Sequence, residues 1–216
     1  MSEPASAFFV VCMMASKALA LFPLPMLPLP GERIGLHIFE PRYQTLFTEL
    51  EAMERDEFGI ACVENGKLTG VGATMRLIAV QRLQPTGERD VLLQCVGNFR
   101  LVSYRPHLDE KGQPTAQAPD GQVEVLPDIR KRKTSDACMA EYVEWSGTGL
   151  HPDSPLAPPE LLVPFLLAAG ADVSMRSRIL MATSDEQRSD LLVNWMRSAR
   201  LLTLQERRRH GGIFPN

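Results

Sequence analysis

Four prolines close together constrain the fold of this chain more than any other feature of its sequence. They lie in the segment L-F-P-L-P-M-L-P-L-P-G, which runs from Leu21 to Gly31. Proline has no backbone N–H to donate to a central β-ladder, so this segment predicts an edge strand or an extended run. Gly31 then predicts a turn, because glycine accepts backbone conformations that other residues avoid.

A strand and a helix are predicted directly after this turn. Ile34, Leu36 and Ile38 alternate with other residues, which indicates a strand with one apolar face. Pro41 suits the first position of a helix, where its missing N–H leaves no acceptor unpaired. Phe39 falls on the other face of this strand, with Gly35 and His37; if it is a core residue, Phe39→Ala should lower the free energy of unfolding by roughly 3–5 kcal/mol. The helix would carry one apolar stripe, formed by Tyr43, Leu46, Phe47, Leu50 and Met53.

The residues of this region resemble a known family. F-P-L…G…L-H-I-F-E-P-R-Y, within residues 22–43, resembles the opening of the Lon N-terminal domain, the substrate-recognition domain of the ATP-dependent protease Lon. Later segments, at residues 71–74, 97–100 and 180–192, resemble further landmarks of that domain, so the likeness extends over nearly the whole chain. It implies an α+β fold: a PUA-like, mainly-β barrel with one early helix, followed by a C-terminal α-helical bundle.

The chain is expected to divide into three parts. Residues 1–20 are an N-terminal extension, residues 21–126 the PUA-like β domain and residues 127–216 the helical bundle. In the β domain, Asn65-Gly66 predicts a tight hairpin between strands at 58–63 and 68–83.

The apolar run at residues 7–14 lies in the extension and is too short to span a bilayer, which takes about 20 residues. We interpret it as sequence upstream of the family's usual start. Alternatively, it is an added strand or an arm that packs on a partner.

Composition places the chain among soluble globular proteins. Hydrophobic residues make up 44% and charged residues 23%, and the net charge is −3, which is no general signature of nucleic-acid binding. Its four cysteines are far apart and none has the spacing of a metal ligand, so reduced thiols and the cytoplasm are expected, with no metal and no cofactor.

Motifs for catalysis are absent from the sequence. It contains no G-x-x-x-x-G-K-[ST] phosphate loop, no H-E-x-x-H and no G-x-S-x-G. The ATPase and serine–lysine protease parts of Lon therefore have no counterpart here, and we expect the protein not to be an enzyme.

Two groups of residues are candidates for binding. Leu24, Met26 and Leu27 are apolar residues of the proline-rich segment that could line a peptide groove, and methionine adapts to varied partners. The alternative is that they are ordinary core residues.

The second group is polar: His37, Glu40, Arg42 and Arg100. It could be an acid–base or peptide-contacting cluster. We prefer a structural interpretation, in which Glu40 caps the helix and pairs with Arg42 or Arg100, because ion-pair networks often resemble active sites.

Two basic runs, at residues 130–133 and 207–210, could contact phosphates, although solvated charge is the simpler interpretation at this net charge. The resemblance implies a non-enzymatic polypeptide-binding module whose partners are polypeptide clients or another protein, with no nucleic acid and no membrane expected. The alternatives are a PUA-like RNA-binding protein, which rests on fold analogy, and a hydrolase of unknown substrate.

We expect the purified chain to hydrolyse no ATP and to cleave no protein, because it has neither a phosphate loop nor a protease dyad. Phosphate release and casein cleavage measure this directly. ATPase turnover above a blank that a point substitution in this chain abolishes would contradict the expectation.

Overall fold

The computed structural model describes residues 16–146 and 157–210, without the side chains at 203, 204 and 206–210. Some sequence predictions concern residues or side chains outside these ranges. The apolar run at residues 7–14 lies outside the described residues, as do the side chains of the basic run at 207–210.

Six strands and five helices make up the described chain. The strands are β1 (Ser16–Leu24), β2 (Arg33–Ile38), β3 (Phe58–Glu64), β4 (Lys67–Leu83), β5 (Arg89–Leu101) and β6 (Asp120–Val125). The helices are α1 (Pro41–Glu51), α2 (Asp136–Ser146), α3 (Leu162–Ala168), α4 (Val173–Met181) and α5 (Asp185–His210). One early helix within the strands and four helices after them agree with the predicted α+β class.

The strands form one mixed sheet that closes on itself. The order is β2-β5-β4-β3-β1-β6, and β6 also pairs with β5, so β5, β4, β3, β1 and β6 form a ring. β2 lies outside this ring and pairs with the first half of β5. Most pairs are antiparallel, but β1 runs parallel to β3.

β1 accommodates Pro23, which has no backbone N–H to donate, by dividing its pairing between two partner strands. Its first half, Ser16–Ala20, pairs with β6, and its proline-containing second half, Leu21–Leu24, pairs with β3. Each half of β1 therefore pairs on one side only, so Pro23 is not required to donate a hydrogen bond to a second strand. The strand begins at Ser16, so the last five residues assigned to the N-terminal extension are paired in the sheet.

The hairpin between β3 and β4 is confirmed. Asn65 and Gly66 both have positive φ, 51° and 74°, as a tight two-residue hairpin turn requires. Further along β4, Gly72 lies against the ring of Phe99. A Cβ atom at Gly72 would lie 2.2 Å from that ring and 2.4 Å from the carbonyl oxygen of Ile60, so no larger residue fits without moving the backbone.

The helix predicted after Pro41 is confirmed over Pro41–Glu51. Its buried residues are Tyr43, Leu46, Phe47 and Leu50, which are four of the five residues of the predicted stripe. Met53 follows the end of the helix and is exposed. The condition that Phe39 is a core residue is not met, since 60% of it is exposed. It follows the last residue of β2 on the face that alternation turns to solvent.

β5 is a single long strand that runs from Arg89 to Leu101, although Gly97 and Asn98 lie in its interior. The chain passes through Gly97 and Asn98 without a break because both are paired with β4, Gly97 with Thr74 and Asn98 with Ala73.

Helices α2 to α5 share a core with the proline-rich segment. Leu27 and Leu29 are buried in the same cluster as Tyr142, Trp145 and Phe165 from the helices. A separate cluster lies inside the sheet beneath α1. The proline-rich segment therefore connects the sheet to the helices after β6.

One arginine of α4 holds this connection. Arg176 Nη1 donates to the carbonyl oxygen of Leu27 at 3.1 Å and to Glu32 Oε2 at 2.9 Å, and Nε donates to the carbonyl oxygen of Ala171 at 2.8 Å. Glu32 Oε2 also accepts the backbone N–H of Leu29. These contacts tie α4 to the second half of the proline-rich segment.

Arg176→Met should lower the free energy of unfolding by about 2–3 kcal/mol, because Glu32 and two carbonyl groups lose their donor in a partly buried place. Chemical denaturation measures the loss. The control is Arg178→Met in the same helix, which is exposed and should change stability by less than about 0.5 kcal/mol. Equal effects of the two substitutions would contradict this role of Arg176.

Candidate functional site

The predicted polar residues do not form one constellation. Arg42 donates to Glu40 Oε2 from Nη2 at 2.7 Å and from Nε at 3.0 Å. Glu40 is the residue before α1, but its side chain accepts no hydrogen bond from the helix. The guanidinium of Arg42 lies 4.8 Å from the centre of the Tyr43 ring, and burial, partly offset by Arg42, raises the pKa of Tyr43 to about 12.

His37 and Arg100 have other partners. His37 Nδ1 lies 2.7 Å from Asp90 Oδ1, near the start of β5. Arg100 Nη1 lies 3.6 Å from Glu124 Oε2, near the end of the same strand. Ten residues of strand separate Asp90 from Arg100, a contour of roughly 33 Å. Arg100 is therefore not part of a site with the other three residues.

The apolar candidates of the proline-rich segment offer little surface. Leu24 and Met26 are half-buried and pack against the core beneath α1. The premise that Leu27 is exposed is wrong, since it is 1% exposed and lies in the core shared with the helices. A peptide could reach Leu27 only if this core opened.

An accessible strand edge lies at β4. This strand has 17 residues and its hairpin partner β3 has seven. β3 begins at Phe58, which pairs with Met75, so the rest of β4, Arg76–Leu83, pairs with β5 alone among the described residues. One edge of this part of β4 therefore has no neighbouring strand in the described structure.

Two bulges shape this open edge. The register between β4 and β5 shifts between Leu77 and Ala79 and again between Val80 and Arg82. Each shift leaves one residue of β4 without an opposite residue, Ile78 and Gln81. A bulge bends and twists its strand, which here turns Ile78 outward, so that it is 42% exposed.

A groove runs between this edge and the segment that follows α1. It encloses about 510 Å³ and is lined by Leu50, Glu51, Met53, Arg55 and Asp56 on one side and by residues 76–80 on the other. We call it the β4 edge groove. Met53, 85% exposed, and Ile78 give it an apolar surface, and Leu83, 58% exposed, continues that surface along the strand. The groove thus combines open backbone with exposed apolar side chains.

Charged groups at one end of the groove are paired. Glu57 accepts a hydrogen bond from Arg76 at 3.0 Å and another from Lys17 of β1. Burial raises the pKa of Glu57, but these two cationic partners outweigh burial and hold the pKa below its usual range. Arg55 Nε lies 3.1 Å from Glu49 Oε2. The groove also presents the exposed carboxylate of Asp56 beside its apolar side chains.

Two other cavities are less suited to a polypeptide. One, of about 220 Å³, lies between α1, β1 and β6, and its charged side chains are paired, Arg55 with Glu49 and Arg105 with Asp120. The other, of about 310 Å³, lies between the turn at Gly31 and α3 and is mainly apolar. Both are smaller than the β4 edge groove.

Sequence reasoning did not find the β4 edge groove, although a signal was present. The predicted strands on either side of Asn65-Gly66, at residues 58–63 and 68–83, differ greatly in length. In a two-residue hairpin, residues pair in order from the turn, so the longer strand must extend beyond the shorter one.

The fold is that of Lon N-terminal domains. The structure aligns over 83% of this chain with the crystal structure of a Lon N-terminal domain protein from Xanthomonas campestris, covering 99% of that chain at 21% identity and a TM-score of 0.54. The N-terminal domain of the Lon protease of the Mycobacterium avium complex aligns over 84% of this chain and 98% of its own, at 12% identity and a TM-score of 0.50. No protein-family model and no curated protein matches the chain. The predicted resemblance is confirmed at the level of the fold.

Within residues 16–146 and 157–210, no helix is long and apolar enough to cross a membrane. The same part of the chain holds no group of three or more His, Cys, Asp or Glu side chains placed to bind a metal ion.

Glu57→Gln should lower the free energy of unfolding at neutral pH by about 1 kcal/mol, because two charge-assisted contacts near the surface are lost. The pKa of Glu57 is lower in the folded protein than its ordinary value of 4.5. Its contribution is therefore complete above that value and is lost as the pH falls through the folded pKa. The difference between the two proteins should disappear on acidification.

Denaturation at a series of pH values measures this, with the exposed Glu54→Gln as the control. A difference that stays constant down to the acid limit would show that the charge of Glu57 does not matter.

Proposed function

We propose that this protein is a non-enzymatic polypeptide-binding module that holds extended, apolar segments in the β4 edge groove. The observation that supports it most is the open edge at Arg76–Leu83 next to Met53 and Ile78. A peptide strand added to an edge gains backbone hydrogen bonds whatever its sequence, while alternate side chains meet the exposed apolar surface. This combination suits a protein that recognises hydrophobicity rather than one sequence.

The fold supports the same proposal by analogy. One of the two similar structures is the N-terminal domain of a protease, an enzyme that acts on polypeptides, and this chain shares its fold. Analogy of fold alone does not establish a function. We further propose that the closed ring of strands is a PUA-like barrel and that α2 to α5 form a helical bundle. We also propose that the protein acts in the cytoplasm, in protein quality control, where it binds polypeptide clients or a protein partner.

RNA binding is less well supported by the surface of the protein. In the basic run at residues 130–133, Arg130 pairs with Asp128 at 2.7 Å and Arg132 pairs with Asp185 at 2.8 Å. A phosphate would have to compete with these carboxylates for two of the four cations.

Titration calorimetry with a neutral hydrophobic peptide of alternating valine and threonine tests the proposal. We expect weak binding with a negative heat-capacity change and little dependence on salt, because apolar surface is buried. Ile78→Asp should weaken binding by about tenfold or more, since burial of one such side chain contributes about 1.5 kcal/mol or more.

Two controls make the test specific. Val143→Asp, at an exposed position of α2, should leave the affinity unchanged. A peptide methylated on its backbone nitrogens should bind less well than the unmodified peptide, because it cannot add to a strand edge. Binding that survives both Ile78→Asp and methylation would contradict the proposed site. Salt-sensitive binding of RNA, with none of peptide, would replace the proposed function by the RNA alternative.

A further inference from the structure

The chain enters the described structure next to the β4 edge groove. β1 begins at Ser16, and the next residue, Lys17, is ion-paired with Glu57. Glu57 is also paired with Arg76, the first residue of the open edge of β4. Lys17 and Arg76 thus share one carboxylate, so the sequence upstream of Ser16 is attached beside one end of the open edge.

That upstream sequence has the chemistry that an open strand edge accepts. Residues 7–14 read A-F-F-V-V-C-M-M and contain no charged residue. Phenylalanine and valine are among the residues most favoured in strands, and the apolar side chains match the exposed Met53, Ile78 and Leu83. Residues 1–15 lie outside the described residues, so the argument rests on their sequence and on their point of attachment.

The run at residues 7–14 is close enough in sequence to Ser16 to reach the open edge of β4. Cys12 is four residues from Ser16, a distance that an extended chain spans with at most about 14 Å. The open edge from Arg76 to Val80 is also four residues, or roughly 13 Å. A segment tethered this closely has an effective concentration on the order of millimolar, far above that of any free polypeptide in dilute solution.

We propose that the run at residues 7–14 binds along the open edge of β4 and is the cis ligand of the β4 edge groove. It covers the exposed Ile78 and competes with polypeptides from outside. The competition rests on the proposed function, whereas the binding of the run to β4 does not. An exposed apolar strand edge invites aggregation, and a tethered apolar segment protects it.

Cys12 provides a direct test in the full chain. The cysteines at 62, 95 and 138 are buried, so a cysteine introduced at the groove can form a disulfide with Cys12 without competition from them. Under mild oxidation, Ile78→Cys and Ala79→Cys should form an intramolecular disulfide with Cys12 at least about tenfold faster than Val143→Cys on α2, as the difference in effective concentration requires. Peptide mapping by mass spectrometry identifies the linked residues, and Cys12→Ser should abolish the product.

Two outcomes would overturn the inference. Equal rates at the groove and at α2 would show that the run has no preference for β4. Disulfides found only in dimers would show that the run of a second copy, rather than the chain's own run, occupies the edge.

A second variant separates this inference from the proposed function. Val11→Asp in the full chain should raise the affinity for the valine–threonine peptide threefold or more, because a charge weakens the cis ligand. If the disulfide forms at the groove but no peptide binds to either protein, the cis ligand is supported and the proposed function fails. If peptide binds at the groove but the disulfide shows no preference for it, the proposed function is supported and the cis ligand fails.

Discussion

The contact between Arg176 and the proline-rich segment is the interaction on which the joining of sheet and helices depends. A proline-rich segment cannot complete a β-ladder, yet its carbonyl groups are buried here and need donors. Side chains supply them. Arg176 donates to the carbonyl of Leu27, and Asn98 Nδ2 donates to the carbonyl of Pro28 at 2.9 Å. The donors come from α4 and from β5, so satisfying this one segment fixes the helices against the sheet.

The length of β4 has two consequences for the rest of the molecule. Its first half pairs with β3 on one side and β5 on the other. Because Gly72 has no side chain, the aromatic side chain of Phe99 can pack closely against β4. Among the described residues, no strand pairs with the other side of its second half. Two bulges and the charged Arg76 and Arg82 make this edge less regular than a bare strand, which is how proteins limit unwanted edge pairing. The edge can then accept one segment without offering a flat template for many.

Where the sequence predictions failed, they failed for the same physical reason. Alternation along β2 placed Phe39 on the outer face, but it could not show whether another element covers that face. The proline-rich pattern predicted an extended segment, but it could not show that helices from the far end of the chain bury Leu27. The charged residues near Glu40 suggested one cluster, but His37 lies opposite Asp90, and Arg100 is ten residues further along β5. In each case the outcome depends on packing or pairing with residues that are distant in the sequence.

Local sequence determined the elements that need no distant partner. Pro41 and the apolar stripe after it determine where α1 begins and which face it buries, Asn65-Gly66 determines the hairpin, and the residue pattern is sufficient for the resemblance to Lon N-terminal domains. Tertiary structure decided the rest: the closure of the ring through β5 and β6, the burial of Leu27 and the position of the groove. Periodicity reports the geometry of a single element, whereas packing depends on which surfaces the whole chain brings together.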